Sequence, residues 1–116
     1  MHNFQKLKVW QEALEISVSI FELTRNFPKD ELYGLTSQMR RSAVSVVSNI
    51  AEGAGRNSNG EFNQFLGMAV GSSFELETQL IISERLNYCP SDICEQLRKR
   101  LQQNQKMTYK LKSSLC

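Results

Sequence analysis

Residues 37–80 contain the feature that most restricts the fold of this chain: two long segments with apolar residues at helical spacing, joined by a short turn. In the first segment, Met39, Ala43 and Val46 recur at intervals of three or four residues, which is typical of a helix with one buried side. The second segment repeats the pattern from Phe62 onward, and the intervening RNSNG has the composition of a turn. Two such helices fold back on each other as an antiparallel hairpin.

Signals at the segment ends predict four helices. Their approximate ranges are 4–26, 35–54, 58–86 and 92–113. Pro28 ends the first helix, because the residue before a proline is kept out of the helical region. Ser58, followed three residues later by Glu61, predicts a capping box at the start of the third, and Ser91 is expected to cap the fourth.

The predicted fold class is therefore all-α, an antiparallel up-down-up-down four-helix bundle. At 116 residues, we expect one domain that spans residues 1–116. The alternative is a two-helix hairpin that completes its bundle by dimerising. That alternative needs long unbroken helices, and Pro28 and Pro90 argue against it.

Large and small side chains predict how the helices pack. Trp10 and Phe21 are expected to anchor the first helix in the core, although an exposed aromatic that binds a partner is the alternative. Gly67 and Gly71 lie one turn apart in the third helix. This spacing predicts a close crossing with a neighbouring helix, at a cost of about 1 kcal/mol per glycine relative to alanine.

The sequence offers little for catalysis or cofactor binding. His2 is the only histidine, and Cys89, Cys94 and Cys116 have no CxxC spacing, so we expect no zinc site. A phosphate-binding loop and a Ser/His/Asp constellation are also missing from the sequence. We therefore expect a protein that is not an enzyme and has no cofactor.

The same composition predicts the compartment. No apolar run is long enough to cross a bilayer, so no membrane association is expected. The amino-terminal segment lacks the apolar stretch of a signal peptide, and an odd number of cysteines suits a reducing environment. We expect a cytoplasmic protein.

Positive charge is concentrated near the carboxyl end. Residues 1–91 carry eight basic and ten acidic residues, whereas residues 92–116 carry six basic and two acidic residues. A basic helix attracts phosphate backbones, but a solvated helix face is the plainer interpretation. The candidate nucleic-acid-binding residues are Arg40, Arg41, Arg56, Lys99, Arg100, Lys106, Lys110 and Lys112.

The arginine pair Arg40 and Arg41 has two interpretations. If the second and third helices turn near residues 57–58, the pair faces Glu75 and Glu77, which predicts an interhelical ion pair. The functional interpretation is contact with phosphate, for which the planar guanidinium is well suited. Both hold if one arginine pairs inward and its neighbour, about 100° around the helix, points outward.

Taken together, these segments resemble the bacterial four-helix bundle protein family, whose members are encoded by intervening sequences inside large-subunit (23S) ribosomal RNA genes. The resemblance covers nearly the whole chain. It lies in LKVWQEA (7–13), FPKDELYGLTSQMRRSAVSVVSNIAEGAGR (27–56) and EFNQFLGMAVGSSFELETQL (61–80).

The resemblance implies a homopentameric ring of four-helix bundles that binds nucleic acid. The accessory variability protein of diversity-generating retroelements is similar, forms such a ring and acts with reverse transcriptase and RNA. The expected partners are therefore copies of this chain, structured RNA or DNA, and a reverse transcriptase. The alternative function is a structural or adaptor protein that assembles with protein partners and binds no nucleic acid.

Overall fold

The computed structural model describes residues 2–115, which form four α-helices and no strand. The helices are α1 (Lys8–Thr24), α2 (Leu35–Ala54), α3 (Asn59–Arg85) and α4 (Ser91–Ser114). Short 3₁₀ turns at Phe4–Lys6 and Lys29–Glu31 precede α1 and α2. The predicted all-α fold is confirmed.

Hydrogen bonds between α2 and α3 show that these helices are antiparallel. Ser42 Oγ donates to Glu75 Oε1 at 2.7 Å, and the hydroxyls of Ser45 and Ser72 lie 2.8 Å apart. Residue numbers therefore rise along α2 as they fall along α3. This register agrees with a turn centred near residues 57–58.

The helix α4 runs antiparallel to both α3 and α1. Gln105 Nε2 donates to Ser73 Oγ at 2.9 Å, and further along, Lys112 contacts Asn63. On the other side, Asn104 Nδ2 donates to the backbone oxygen of Val9 at 3.0 Å. Each helix thus has two antiparallel neighbours, as in an up-down-up-down bundle.

The core consists of two apolar clusters along the bundle. One cluster joins Ile20 of α1 to Met39 of α2, and the other joins Val9 to Ile50. Successively later residues of α1 therefore pack against earlier residues of α2, so these two helices are also antiparallel. Trp10 packs partly buried against the second cluster, with its ring edge-on to Phe4 at 5.0 Å between centroids, as expected for an anchor.

The predicted helix limits hold best for α2 and least for the start of α1. The range 35–54 is confirmed for α2, and Ser58 Oγ accepts the backbone N–H of Glu61 at 3.1 Å, as predicted for a cap. The first helix begins at Lys8 rather than near Phe4, because Leu7 has extended backbone. Ser91 does not cap α4: Pro90 occupies the N-cap position, without a side-chain hydrogen bond.

The close helix approach lies at Gly53 and not at the predicted glycine pair. A Cβ added at Gly53 would lie 2.6 Å from Phe65 Cβ, whereas a Cβ at Gly71 would meet nothing within 4 Å. At Gly67 the nearest atom would be Lys112 Nζ, at an ordinary 3.5 Å. The expectation for Gly67 and Gly71 is wrong because their spacing places them on one side of α3 without showing what that side faces.

Candidate nucleic-acid interface

Arg40 binds α1 and does not face the glutamates of α3. Its Nε donates to Thr24 Oγ1 at 2.9 Å, and its guanidinium lies over the ring of Phe21, 5.0 Å from the centroid. Phe21 is therefore partly exposed beneath Arg40 instead of anchoring the core. Among residues 2–115, neither Arg40 nor Arg41 forms the predicted ion pair with Glu75 or Glu77.

Arg41 is exposed and lines two grooves, one at the seam with α3 and one that it shares with Arg40 and Phe21. Within the described part of the chain it makes no hydrogen bond or ion pair. One arginine of the pair thus packs against the bundle and the other is available to solvent. The predicted arrangement, with one arginine paired inward and its neighbour about 100° around the helix pointing outward, is wrong in its inward pair, because Arg40 contacts α1 and not a glutamate of α3.

The seam between α2 and α3 forms an open polar groove of about 680 Å³. Arg41 and Ser42 line its α2 wall, and Glu75 and Gln79 line its α3 wall. The amide oxygen of Gln79 is buried without a hydrogen-bond partner in residues 2–115. A buried acceptor that finds no donor costs free energy of folding.

Two further predicted arginines are held by side chains of the bundle. Arg56 Nε pairs with Glu61 Oε2 at 2.8 Å, and its guanidinium lies over Phe65 at 5.2 Å. Arg100 is half-buried, and its Nη1 donates to Ser19 Oγ of α1 at 3.2 Å. Both arginines therefore have structural contacts that compete with a phosphate.

Two of the four predicted lysines are also engaged. Lys99 Nζ lies 3.4 Å from Glu95 Oε1, one turn earlier on the exposed face of α4. Lys112 Nζ donates to both the backbone oxygen, at 3.0 Å, and the amide oxygen of Asn63. The Lys112 contacts join the last part of α4 to the first part of α3, whereas the exposed Lys99 pair contributes little.

Lys106 and Lys110 are the predicted lysines that remain free, as Arg41 does among the arginines. Both are exposed one turn apart on α4, and neither has an acidic partner within residues 2–115. The fold brings Lys8 of α1 to the same groove as Lys110, a cavity of about 390 Å³ between α1 and α4. Sequence reasoning missed Lys8, because its proximity to Lys110 depends on how α1 and α4 pack.

The seam between α3 and α4 is polar and centred on Glu77. Its carboxylate accepts hydrogen bonds from Gln102 Nε2 at 2.9 Å and Gln105 Nε2 at 3.1 Å. Arg98 Nη2 lies 3.6 Å from the same carboxylate. Because these partners all come from α4, Glu77 serves the packing of α4 and does not face an arginine of α2.

Two separate surfaces of the bundle expose large apolar side chains. The α1/α2 apolar face comprises Leu14, Val18, Phe21 and Val44. The α3 apolar face comprises Met68, Phe74 and Ile82. Neighbouring exposed apolar groups of this kind often mark contacts with another protein.

The described cysteines lie together in the core where α3 passes into α4. Cys89 and Cys94 are free thiols and are both buried. Burial, reinforced by Cys94, raises the pKa of the Cys89 thiol to about 12. Burial also raises the pKa of Cys94, so both are poor nucleophiles at neutral pH. Cys116 lies outside the described residues.

The fold and this surface define a class of protein: an all-α four-helix bundle with a free basic surface on its fourth helix. More particularly, the chain belongs to the 23S rRNA-intervening sequence protein family, whose family model matches residues 5–110. A comparison with curated proteins gives no significant match. No helix within residues 2–115 has the length and apolar character needed to span a membrane.

A solved structure supports the fold. It is a protein of unknown function from the S23 ribosomal protein family of Bacteroides thetaiotaomicron, solved at 1.70 Å. The two folds agree with a TM-score of 0.84 over 90% of this chain and 95% of that chain. At 23% sequence identity, the likeness concerns the fold alone.

Proposed function

We propose that this protein is a non-enzymatic homo-oligomer that binds nucleic acid, structured RNA above all, through basic surface patches. The observation that carries the proposal is the free basic surface of α4, formed by Lys106 and Lys110 with Lys8 beside them. Residues 96–115 include six basic and no acidic residues. Ammonium groups without protein partners are available to neutralise phosphates and release their counterions.

Oligomerisation would make this modest charge effective. The formal net charge of one chain is only +2, which gives weak attraction to a polyanion. A ring repeats the same basic surface around an axis, so that one RNA contacts several copies at a high effective concentration. The number five comes from the family resemblance alone.

The two apolar faces support a ring in particular. They lie on different helices, one on α1 and α2 and the other on α3. When one face of a protomer packs against the other face of the next, the contact is heterologous, and such contacts form a ring where the rotation between successive copies closes. We propose that the α1/α2 apolar face of one copy covers the α3 apolar face of its neighbour.

We also propose DNA and a reverse transcriptase as partners, and the cytoplasm as the location. DNA is a second polyanionic ligand, and a reverse transcriptase is a partner suggested only by the resemblance to the retroelement protein. The two buried thiols, Cys89 and Cys94, suit a reducing compartment such as the cytoplasm.

The test is fluorescence anisotropy with labelled structured RNA, duplex DNA and polyglutamate, titrated across salt. We expect the RNA to bind more tightly than polyglutamate, with affinity that falls steeply as salt rises. The double variant Lys106→Glu/Lys110→Glu should weaken RNA binding about tenfold or more and reduce the magnitude of the salt slope by roughly 1.5 to 2.

A matched control separates local contact from total charge. Arg25→Glu/Lys29→Glu changes the net charge equally, at exposed positions near the α1–α2 connection. It should bind nearly as tightly as the wild type. Equal losses of RNA affinity in both double variants would contradict a specific basic surface on α4. If the wild type binds no RNA even at low salt, the proposal is overturned.

The second candidate function is an assembly or adaptor protein without nucleic-acid binding, favoured by the exposed α1/α2 apolar face. This function predicts that Lys106→Glu/Lys110→Glu leaves partner assembly intact. A polar substitution at Val18 or Val44 would instead abolish assembly. Co-purification of a defined protein partner with the lysine variant, together with absent RNA binding, would favour this alternative.

A further inference from the structure

We infer that Tyr109 is a stacking platform for an unpaired base, so that the basic surface of α4 prefers looped or single-stranded RNA to continuous duplex. The inference rests on the proposed function, because it names the nucleic-acid class that this surface takes. Tyr109 is uncharged, and the proposed function depends only on basic residues.

The ring of Tyr109 is available. Half of its surface, 50%, is exposed on α4. Within residues 2–115 it takes part in no ring contact and no hydrogen bond, whereas some other aromatic side chains near the surface are occupied. Arg40 covers Phe21, and Arg56 covers Phe65.

Two lysines lie on one side of this ring. Lys106, three residues before Tyr109, and Lys110, immediately after it, are about 60° and 100° from Tyr109 in the same direction around the helix. Both lysines are exposed and lack an acidic partner in the described part of the chain. A nucleotide whose base stacks on the ring would place its phosphates beside two free ammonium groups.

This combination selects unpaired nucleotides. Aromatic side chains bind single strands because each base offers a planar face, and a basic surface follows the backbone. In a continuous RNA duplex, both faces of each base are covered by neighbouring bases. The lysines therefore act on any RNA, whereas Tyr109 acts only where a base is free.

A second exposed tyrosine, Tyr33, shows that exposure alone does not make a tyrosine a suitable platform for an RNA base. Tyr33 is 93% exposed, but it follows Asp30 and Glu31, whose carboxylates repel phosphate. Tyr33→Ala is consequently a matched control for Tyr109→Ala. It removes the same group from a more exposed position without a basic surface.

The experiment compares a labelled RNA hairpin that has a single-stranded loop with the same stem as a blunt duplex. We expect the wild type to bind the hairpin more tightly. Tyr109→Ala should lose about fivefold or more on the hairpin, with the duplex affinity unchanged. Tyr109→Phe and Tyr33→Ala should bind both RNAs like the wild type.

A crosslink gives a second measurement that does not depend on the variant folding. With 5-iodouracil in the loop, irradiation should attach the RNA to Tyr109, as located by mass spectrometry of the digested protein. Attachment only at other residues would overturn the inference.

The outcomes separate this inference from the proposed function. If Lys106→Glu/Lys110→Glu weakens binding but Tyr109→Ala binds both RNAs normally, stacking is wrong and the proposed function stands. Equal losses on hairpin and duplex for Tyr109→Ala would also overturn the preference for unpaired bases. If the wild type binds no RNA, both are wrong.

Discussion

At the scale of single residues, burial decides the chemistry of the two described thiols. Cys94 Sγ donates to the backbone oxygen of Leu80 at 3.3 Å, and Cys89 lies close by in the same cluster. A thiolate in this position would lose its hydration, and at Cys94 the attraction of Arg98 does not offset that loss. The folded state therefore holds both cysteines as neutral thiols.

The Cys89 thiol makes stability depend on pH. Its pKa is raised in the fold from 9.0 to about 12, so the unfolded chain ionises first as pH rises. The stabilising contribution is full below about pH 9 and is lost between about pH 9 and 12. Urea unfolding at pH 8 and pH 10.5 should show a smaller drop in the free energy of unfolding for Cys89→Ala than for the wild type.

Tyrosines and lysines also titrate in this range, but they are common to both proteins and cancel in the comparison. Identical drops in the two proteins would contradict the buried neutral thiol. Slow alkylation of Cys89 by iodoacetamide in the native protein at pH 8 is a second sign of the same burial.

The predictions for single residues that proved wrong or incomplete have a common cause. The α2–α3 register was predictable from the turn, yet Arg40 binds Thr24 and Phe21 of α1. The spacing of residues and the position of the turn predict which residues of α2 and α3 lie at the same level. The neighbouring helix toward which a side chain points depends instead on how the whole bundle packs. Lys8 was missed for a related reason, because no local pattern brings it to Lys110.

At the scale of helices, strong apolar periodicity with clear end signals made α2 and the start of α3 predictable. The start of α1 was not, because Asn3 caps a short 3₁₀ turn that a helical pattern cannot distinguish from the first helical turn. Pro90 takes the N-cap position of α4 by its preset backbone angle. The residue at which a helix begins thus depends on local backbone geometry, which the residue types at that point predict only in part.

The glycines provide a paired test of helix packing. In the protomer alone, Gly71→Ala places a methyl group in open space and should raise the free energy of unfolding by up to about 1 kcal/mol through helix propensity. Gly53→Ala meets Phe65 Cβ at 2.6 Å and should lower it by about 1–3 kcal/mol through overpacking. Urea unfolding at one fixed protein concentration measures both.

Each variant is the control for the other, since both make the same chemical change within a helix. A stabilised Gly53→Ala would show that α2 and α3 separate more easily than their close approach indicates. A destabilised Gly71→Ala would show that this side of α3 is covered in the assembled protein.

At the scale of the whole molecule, the proposed ring depends on the α1/α2 apolar face. Val18 and Val44 are exposed in one copy, so Val18→Glu/Val44→Glu should leave the protomer folded. It should nevertheless convert the expected pentamer to monomers, because buried carboxylates are costly in an apolar contact. Sedimentation equilibrium measures the mass, and circular dichroism reports the fold.

Ile93→Glu is the control, since Ile93 is similarly exposed but lies at the start of α4. It should keep the wild-type mass. A wild-type protein that sediments as a monomer, or a valine variant that remains pentameric, would contradict the proposed contact. The monomeric variant should also bind RNA more weakly, because it loses multivalency.

The polar seam between α3 and α4 has a consequence for how this sequence can change over generations. Glu77, Gln102 and Gln105 satisfy one another across two helices. Replacing Glu77 removes the hydrogen bond of Gln102 and leaves Gln105 with Ser73 alone, whereas replacing the set with apolar residues of matching shape leaves no such unpaired groups. Substitutions at positions 77, 102 and 105 should therefore occur together in related sequences. Such covariation among relatives would indicate that α3 and α4 are in contact.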